Sequence, residues 1–244
     1  MRTLMASSHV RSGLDSSGEL AMNKVPQGPP APRLRVRRHP ERGAYDADGI
    51  REIVDSGLIC HLGYATAAGP VVLPTLYGRH EDTVYFHGSP AAGMFRHADL
   101  SVDVSLAITL VDGFVLARSL FSHSMNYRSV VIYGKAERVE DPDEQLLGLR
   151  AITEHLVPGR WDEARLPNSD EMRQTAVFRV SLAQASAKIR TGGPKDDVED
   201  LSLDAWAGVV PLSTVAGEPV PAPELPIGTA PSPAVQNLID RFKP

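Results

Sequence analysis

Between about residue 38 and residue 212 the apolar positions recur mainly at strand spacing, in short runs rich in β-branched and aromatic side chains. LICHLGYAT, PVVLPTLYGR and DTVYFHG are broken at Ala67-Ala68-Gly69 and at His80-Glu81-Asp82, the pattern of a meander of hairpins. SVDVSLAITLVDGFVLARSL predicts two further strands around an Asp112-Gly113 turn, since that dipeptide between apolar flanks is a strong hairpin signal. YRSVVIYGKAERV predicts a long strand with a bulge or bend at Gly134, and TAVFRVSLAQASAKIR predicts the last strand. Helical spacing is rarer. ADGIREIVDSG at 47–57 places Ile50, Ile53 and Val54 on one face, with Asp46 or Asp48 as cap and Gly57 as stop. A short helix is expected near 91–98. DPDEQLLGLRAITEHLVPG predicts a longer one with Leu146, Leu149, Ile152 and Leu156 on one face, and AVQNLIDRF at 234–242 a short last one. Six or so antiparallel strands, few helices and no βαβ alternation predict a mainly β fold, a barrel with flanking helices. The helix at 142–157, lying between the last two strands, should plug one barrel end or pack across it.

The flanks read differently. Residues 1–37 mix Ser, Gly and Pro with little apolar periodicity and are expected to form a flexible N-terminal arm ahead of a domain at 38–212. Residues 213–244 form a tail in which Pro219, Pro221, Pro223, Pro226, Pro231 and Pro233 withhold backbone donors. A net charge of −5 leaves no global footprint for nucleic acid. The one basic run, RLRVRRHPER at 33–42, has no interleaved aromatic residues on which bases would stack, so neither nucleic acid nor membrane is expected as a partner. The N-terminus lacks the apolar core of a secretory signal, no run approaches the roughly 20 apolar residues of a membrane span, and the single cysteine, Cys60, suits a reducing cytoplasm.

Motifs for several chemistries are missing. The chain has no GxxxxGK[ST], GxGxxG or GxSxG sequence, and its eight His residues form no HExxH pattern, so no metal site is expected. Three segments carry the remaining chemistry. VVLPTLYGRHEDTVYFHGSPAAGMFRHAD at 71–99 runs two strands into a turn of small residues, where His87, Gly88, Ser89 and Arg96 offer donors suited to a phosphate; a tight turn beside a surface arginine would look the same. MNYRSVVIYGKAERVED at 125–141 is the second. In the third, AKIRTGGPKDDVEDLSLDAWAGVVPL at 187–212, Lys188 and Arg190 alternate with Ile189 and so share one strand face, as an anion site or as a solvated surface. Trp206 either stacks on a ring or packs as core.

Together the pairing of LYG…DTVYFHGS with NYRSVVIYGKAERV and the late KIRTGGPKDD…WAGVVPL resemble the pyridoxamine 5′-phosphate oxidase-like FMN-binding split-barrel family, in its nitroimidazole-resistance and flavin-nucleotide-binding branch. The resemblance covers about residues 38–212. It implies a split-barrel homodimer with FMN in a groove built by both subunits. The phosphate would lie near His87-Gly88-Ser89, Leu73, Pro74 and Thr75 would flank the ring system, and Asn126, Tyr127, Arg128, Ser129 and Val130 would lie near the ring or the dimer seam. Lys188, Arg190 and Trp206 complete the expected cofactor contacts, with His87 as the expected catalytic proton donor. The implied activity is reduction of a small electron-poor substrate, a nitroheterocycle or quinone-like molecule, with a nicotinamide nucleotide as donor. Haem and deazaflavin are the alternatives, haem requiring His87, His97 or His123 as an axial ligand, and so is a flavin-binding module without turnover. The chain departs from the wider family where Gly93-Met94-Phe95 precede Arg96 in place of paired basic residues. It also lacks the long basic signatures that hold substrate phosphate in the true oxidases, so oxidation of pyridoxamine phosphate is not expected.

Overall fold

The computed structural model describes residues 31–89 and 101–243. Its strands are β1 (Gly43–Ala44), β2 (Ile59–Thr66), β3 (Gly69–His80), β4 (Thr83–Gly88), β5 (Ser101–Leu116), β6 (Ser124–Arg138), β7 (Ala176–Ser181), β8 (Ala185–Arg190) and β9 (Gly208–Pro211). All pairings are antiparallel. Six strands, in the order β2-β3-β4-β7-β6-β5, close into a ring because β6 pairs with β7 along one edge and with β5 along the other. The ring is split beside β6, whose one edge carries β8 over Tyr127–Ile132 and β7 only at Glu137 and Arg138. β1 extends the sheet from β8, and β9 pairs with the far end of β5. The expected mainly β barrel is therefore present.

Three local readings need correction. Asp112-Gly113 does not reverse the chain: β5 runs on to Leu116, and the register against β6 shifts by one residue between Val111 and Gly113. Asp112 is the extra residue of this bulge. Its carboxylate accepts from Arg128 Nε at 3.1 Å and Nη2 at 2.8 Å, and its carbonyl accepts from Leu212 N at 3.1 Å, so its backbone and side chain serve neighbouring strands. The true reversal is the single turn of 3-10 helix at Leu120–Ser122. Gly134 is not a bulge; it pairs in register with Val104, and what it supplies is room, since a Cβ there would stand 3.2 Å from Val180. The last strand is two, β7 and β8, parted by a 3-10 turn at Leu182–Gln184 in which Ser181 Oγ accepts from Ala183 N at 3.1 Å. The helix expected near 91–98 lies outside the described residues.

Helix α1 (Ala47–Ser56) packs one face onto the barrel core, leaving Asp48, Glu52 and Asp55 exposed. Asp46 caps it, accepting from Gly49 N at 2.6 Å, and Ile50, Ile53 and Val54 share one core with Leu62, Tyr77, Leu106, Ile108, Val130 and Ile132. Burying each of these aliphatic side chains contributes about 1.5–3 kcal/mol. Tyr77 Oη reaches across to donate to Val54 O at 2.5 Å. Gly57 ends the helix in an extended conformation, φ −76°, so its role is space rather than a left-handed cap: a Cβ would stand 2.5 Å from Ile108 and 2.6 Å from Tyr77 Oη. Cys60, fully buried in this core, has its thiol pushed up to about 12 by burial and is inert.

The expected helix at 142–157 is α2 (Pro142–Leu156), capped by Asp141, and it packs across the outside of β3, β4 and β7 rather than plugging an end. Two glycines allow the approach. A Cβ on Gly78 would stand 2.2 Å from Ala151 O, and one on Gly148 2.8 Å from the Tyr85 ring. After α3 (Arg160–Glu163) and α4 (Ser169–Arg173), the last helix, α5 (Pro233–Arg241), is docked at both ends. Glu163 accepts from Ser232 Oγ at 2.5 Å and Ala234 N at 3.0 Å, and Arg241 donates to His155 O at 3.0 Å and Asp55 O at 3.2 Å, tying the C-terminal ends of α1 and α2 together. The arm too is anchored where it is described: Leu34 is buried, and the Arg33 guanidinium lies 4.2 Å from the centre of the Tyr133 ring. Among the described residues no helix is long and apolar enough to cross a membrane.

Two outcomes follow from this packing. Gly78→Ala drives a methyl group into the backbone of α2 and should cost about 1–3 kcal/mol in urea unfolding, whereas Gly193→Ala, with open space around it, should stay within about 0.5 kcal/mol of the parent. His155 packs on Tyr77 and donates from Nε2 to Gly57 O at 2.6 Å; burial, the largest effect, pushes its imidazole below the ordinary value. The unfolded chain therefore takes up this proton first, so stability present above a pH of about 6.5 falls as pH drops below it. His155→Gln should flatten the change in urea midpoint between pH 7 and pH 5.

Candidate functional site

A sheet whose strands are apolar on both faces implies cover on both. β2 and β3 show this in VVLPTLYG and LICHLGYAT. One face, with Cys60 and Leu62, looks into the barrel. On the other, Ile59, Val72 and Leu76 stay open to solvent, Val72 at 63%. The register carries this outer face across five strands, Ser186 beside Val131, then Ala107, His61 and Pro74. Sequence reasoning did not single out Ile59, His61, Val72 or Leu76; the unbroken apolar runs were the signal for them.

The first half of β3 lies beyond its ladder with β4. Their ladder stops at Tyr77 opposite Phe86, and among the described residues no strand pairs the edge of residues 72–76 on the β4 side. His87, Gly88 and Ser89, at the end of β4, run on past this point, so that an extension of the ladder would set Gly88 level with Thr75. Leu73, Pro74 and Thr75 thus lie on an open edge that still has backbone donors and acceptors to offer, while His87 and Gly88 continue on β7. Leu73 and Thr75 share the barrel side with Leu62 and Cys60, yet Leu73 remains 43% exposed; Pro74 points outward beside His61. Arg96 lies outside the described residues.

His87 itself faces α2. It borders a cleft of about 360 Å³ with Leu149, Ile152, Thr153 and Trp161, and although the residue keeps contact with solvent, partial burial there pushes its imidazole below the ordinary value. It is a neutral donor or acceptor at pH 7.

The remaining expected residues form a second group on β6 and β8. Tyr127 and Ser129 face outward beside Arg190 and Lys188, their register partners. Val130 is core, and Arg128 is bound to Asp112. Arg190 is buried and already committed: it donates to Asn126 Oδ1, to Gly192 O at 2.8 Å and to Gly193 O at 2.9 Å, holding the TGG turn. Lys188 has no such partner among the described residues and presents its ammonium on the outer face. Trp206 is neither core nor cover here; it is 65% exposed, against Gly208 at the start of β9. In the six-stranded ring β3 and β6 stand three places apart, on opposite sides, so one chain does not bring its two groups together. An open edge able to hydrogen-bond the rim of a flat ring, flanked by apolar side chains, fits a flavin, and a lysine beside Ser129 fits its phosphate.

The family described as pyridoxamine 5′-phosphate oxidase matches residues 46–189. Among solved structures, a flavocytochrome, Anf3 from Azotobacter vinelandii, is 34% identical, covers 88% of this chain and 98% of its own, and superposes with a TM-score of 0.78. An FAD and haem binding protein from Mycobacterium smegmatis is 30% identical over 81% of this chain and 97% of its own, with a TM-score of 0.77. A protein assigned to 5-nitroimidazole antibiotic resistance in Bacteroides thetaiotaomicron is 27% identical over 60% of this chain and 86% of its own, with a TM-score of 0.47. A search of curated proteins finds no match. With its barrel, its register and more than half its length accounted for in this way, the chain belongs to the pyridoxamine 5′-phosphate oxidase family.

Proposed function

We propose that this chain is a homodimeric redox protein that binds a flavin in a groove shared between two copies and also carries a haem. The observation that carries the reading is the separation of the two groups of candidate residues, the open β3 edge with His87–Ser89 on one side of the ring and the outer face of β6 and β8 on the other. A two-fold axis that laid the β6–β8 face of one copy against the β3–β4 edge of the other would complete two equal sites. It would also cover Ile59, Val72 and Leu76, which are exposed in the single chain. Support for the cofactors comes from the two relatives at 30% identity or more, one a flavocytochrome and one an FAD and haem binding protein.

When bound, the flavin would exchange a hydride with a nicotinamide nucleotide and the haem would carry single electrons. The chain's own part is placement and access. Backbone groups of residues 72–76 hydrogen-bond the rim of the ring, and Leu73 with Trp206 excludes water from its faces. Lys188 takes the phosphate, because Arg190 is spent on its own turn and Ser129 Oγ donates to Lys188 O at 3.2 Å. His87, neutral at pH 7, stands at the end of β4 as the proton donor or acceptor. A small electron-poor acceptor, such as a nitroheterocycle or a quinone-like molecule, suits a groove that needs no acid-base pair of its own.

Chromophores released from protein expressed without added cofactor should be a flavin and a haem by mass spectrometry, and the flavin's mass decides between FMN and FAD. Protein that stays colourless after reconstitution with both would overturn the reading. Light scattering should give a dimer at micromolar concentration; a monomer with full flavin occupancy would rule out the shared groove. Lys188→Ala removes a charge-assisted hydrogen bond of about 1.5–3 kcal/mol and should weaken FMN by roughly one to two orders of magnitude while leaving riboflavin, which lacks the phosphate, nearly unchanged.

A further inference from the structure

Leu147, Arg150, Ala151, Glu154 and His155 recur at three- and four-residue spacing and so share one face of α2. They border a cleft of about 660 Å³ whose other walls include Pro158, Asp55 near the end of α1, Arg79 near the end of β3 and Arg241 at the end of α5. The cleft stands apart from the open edge of β3, since Arg79 lies beyond Thr75 by roughly 13 Å along an extended strand. Both of its carboxylates are committed. Asp55 accepts from Arg79 Nε at 2.8 Å and Nη2 at 2.6 Å, and Glu154 holds the turn after α2, accepting from Gly159 N at 2.7 Å and Trp161 N at 2.9 Å. Against these two carboxylates stand three arginines, so the lining carries one surplus positive charge. Arg241 uses Nη1 on His155 O and Nη2 on Asp55 O, which leaves Nε and further N–H groups of its guanidinium open. Arg150 makes no hydrogen bond or ion pair among the described residues.

We propose that this cleft binds an organic monocarboxylate, with its head on Arg150 and Arg241 and its apolar body along Leu147, Ala151 and Pro158. A guanidinium fork matches the two oxygens of a carboxylate, and two such forks at one cleft leave no need for a metal or a buried lysine. The single surplus charge favours one negative charge over the two of a phosphate monoester. The helix ends act in the same direction: α1, α2 and α5 all terminate here, and the carbonyl groups at their C-termini oppose a second negative charge. A bound carboxylate would join α2 to α5, adding a bridge to the one Arg241 already makes to His155 O and Asp55 O. The site draws on no residue of the flavin groove, so it stands whether or not that groove is filled.

The test is calorimetric titration of the full-length protein with octanoate, and with 1-octanol as its uncharged counterpart, for the parent, Arg150→Gln and Leu147→Glu. The parent should bind one octanoate per chain, about tenfold or more tightly than 1-octanol, and added salt should weaken the octanoate. Arg150→Gln should lose roughly tenfold or more for octanoate, the scale of one charge-assisted hydrogen bond, and nothing for 1-octanol. Leu147→Glu sets a carboxylate on the apolar wall and should abolish octanoate binding. Both side chains are exposed, so the urea midpoints should match the parent's. A parent that binds no octanoate at about 10 mM, or binds 1-octanol equally well, would overturn the proposal. So would two variants that bind octanoate as the parent does, since the ligand would then lie on another apolar surface.

Discussion

Everything in the molecule hangs on the pairing of β5 with β6. Ser101–Val115 lies against Ser124–Glu137 through one shifted register, and this ladder closes the ring, carries β9 and β8 on its outer edges and runs out to the Leu120–Ser122 turn. A strand of fifteen residues is longer than a small barrel uses. The surplus is what lets β6 serve β8 over its first half and β7 at its end, and this division is the split. One face of α1 completes the core, and where the helix ends Tyr77, Ile108 and Gly57 must fit one another to within a methyl group.

Periodicity made most of this legible. β2, β3, β4 and both long helices stand where their apolar spacing puts them, with Asp46 and Asp141 as the caps, because spacing and capping are local and the tertiary structure agrees with them. The failures share a cause. Asp112-Gly113 carries a hairpin's residues, but Arg128 on the neighbouring strand captures the carboxylate and Leu212 N, just past β9, captures the carbonyl, so partners distant in sequence decide the local conformation. Likewise Asp82 O, at the β3–β4 turn, accepts from Leu182 N at 2.8 Å and helps to part β7 from β8, which nothing in TAVFRVSLAQASAKIR announces.

For the candidate residues the sequence indicated strands and faces, not how those strands are placed in space. His87-Gly88-Ser89 and Leu73-Pro74-Thr75 fall on neighbouring strands of one meander, but the ladder between those strands ends at Tyr77 opposite Phe86, before either group is reached. Arg190 shows the limit of alternation as a guide: it shares its face with Lys188, yet Gly192 O, Gly193 O and Asn126 take its donors, so two cations at the same spacing have different work. Trp206, expected to stack on a ring or join a core, joins no core in the single chain and stands 65% exposed.

That distinction bears on how such a barrel comes to hold a cofactor. The six-stranded ring is filled by its own side chains together with one face of α1, and from Ile50 to Leu182 these are fully or nearly fully buried, leaving no interior for a ligand. Any large flat group must therefore lie outside, where the sheet is apolar and unpaired at β3 and where the turn between β5 and β6 exposes Phe121. Exposed aromatic and aliphatic side chains on a lone chain are unstable against association or ligand burial. The same surface that would let copies aggregate is the surface on which a flavin or a porphyrin finds both an apolar face and fixed polar groups at its rim. On the reading proposed above, dimerisation and cofactor binding would draw on one physical resource, so the residues serving each would overlap, with Leu73 and Trp206 the positions where they meet.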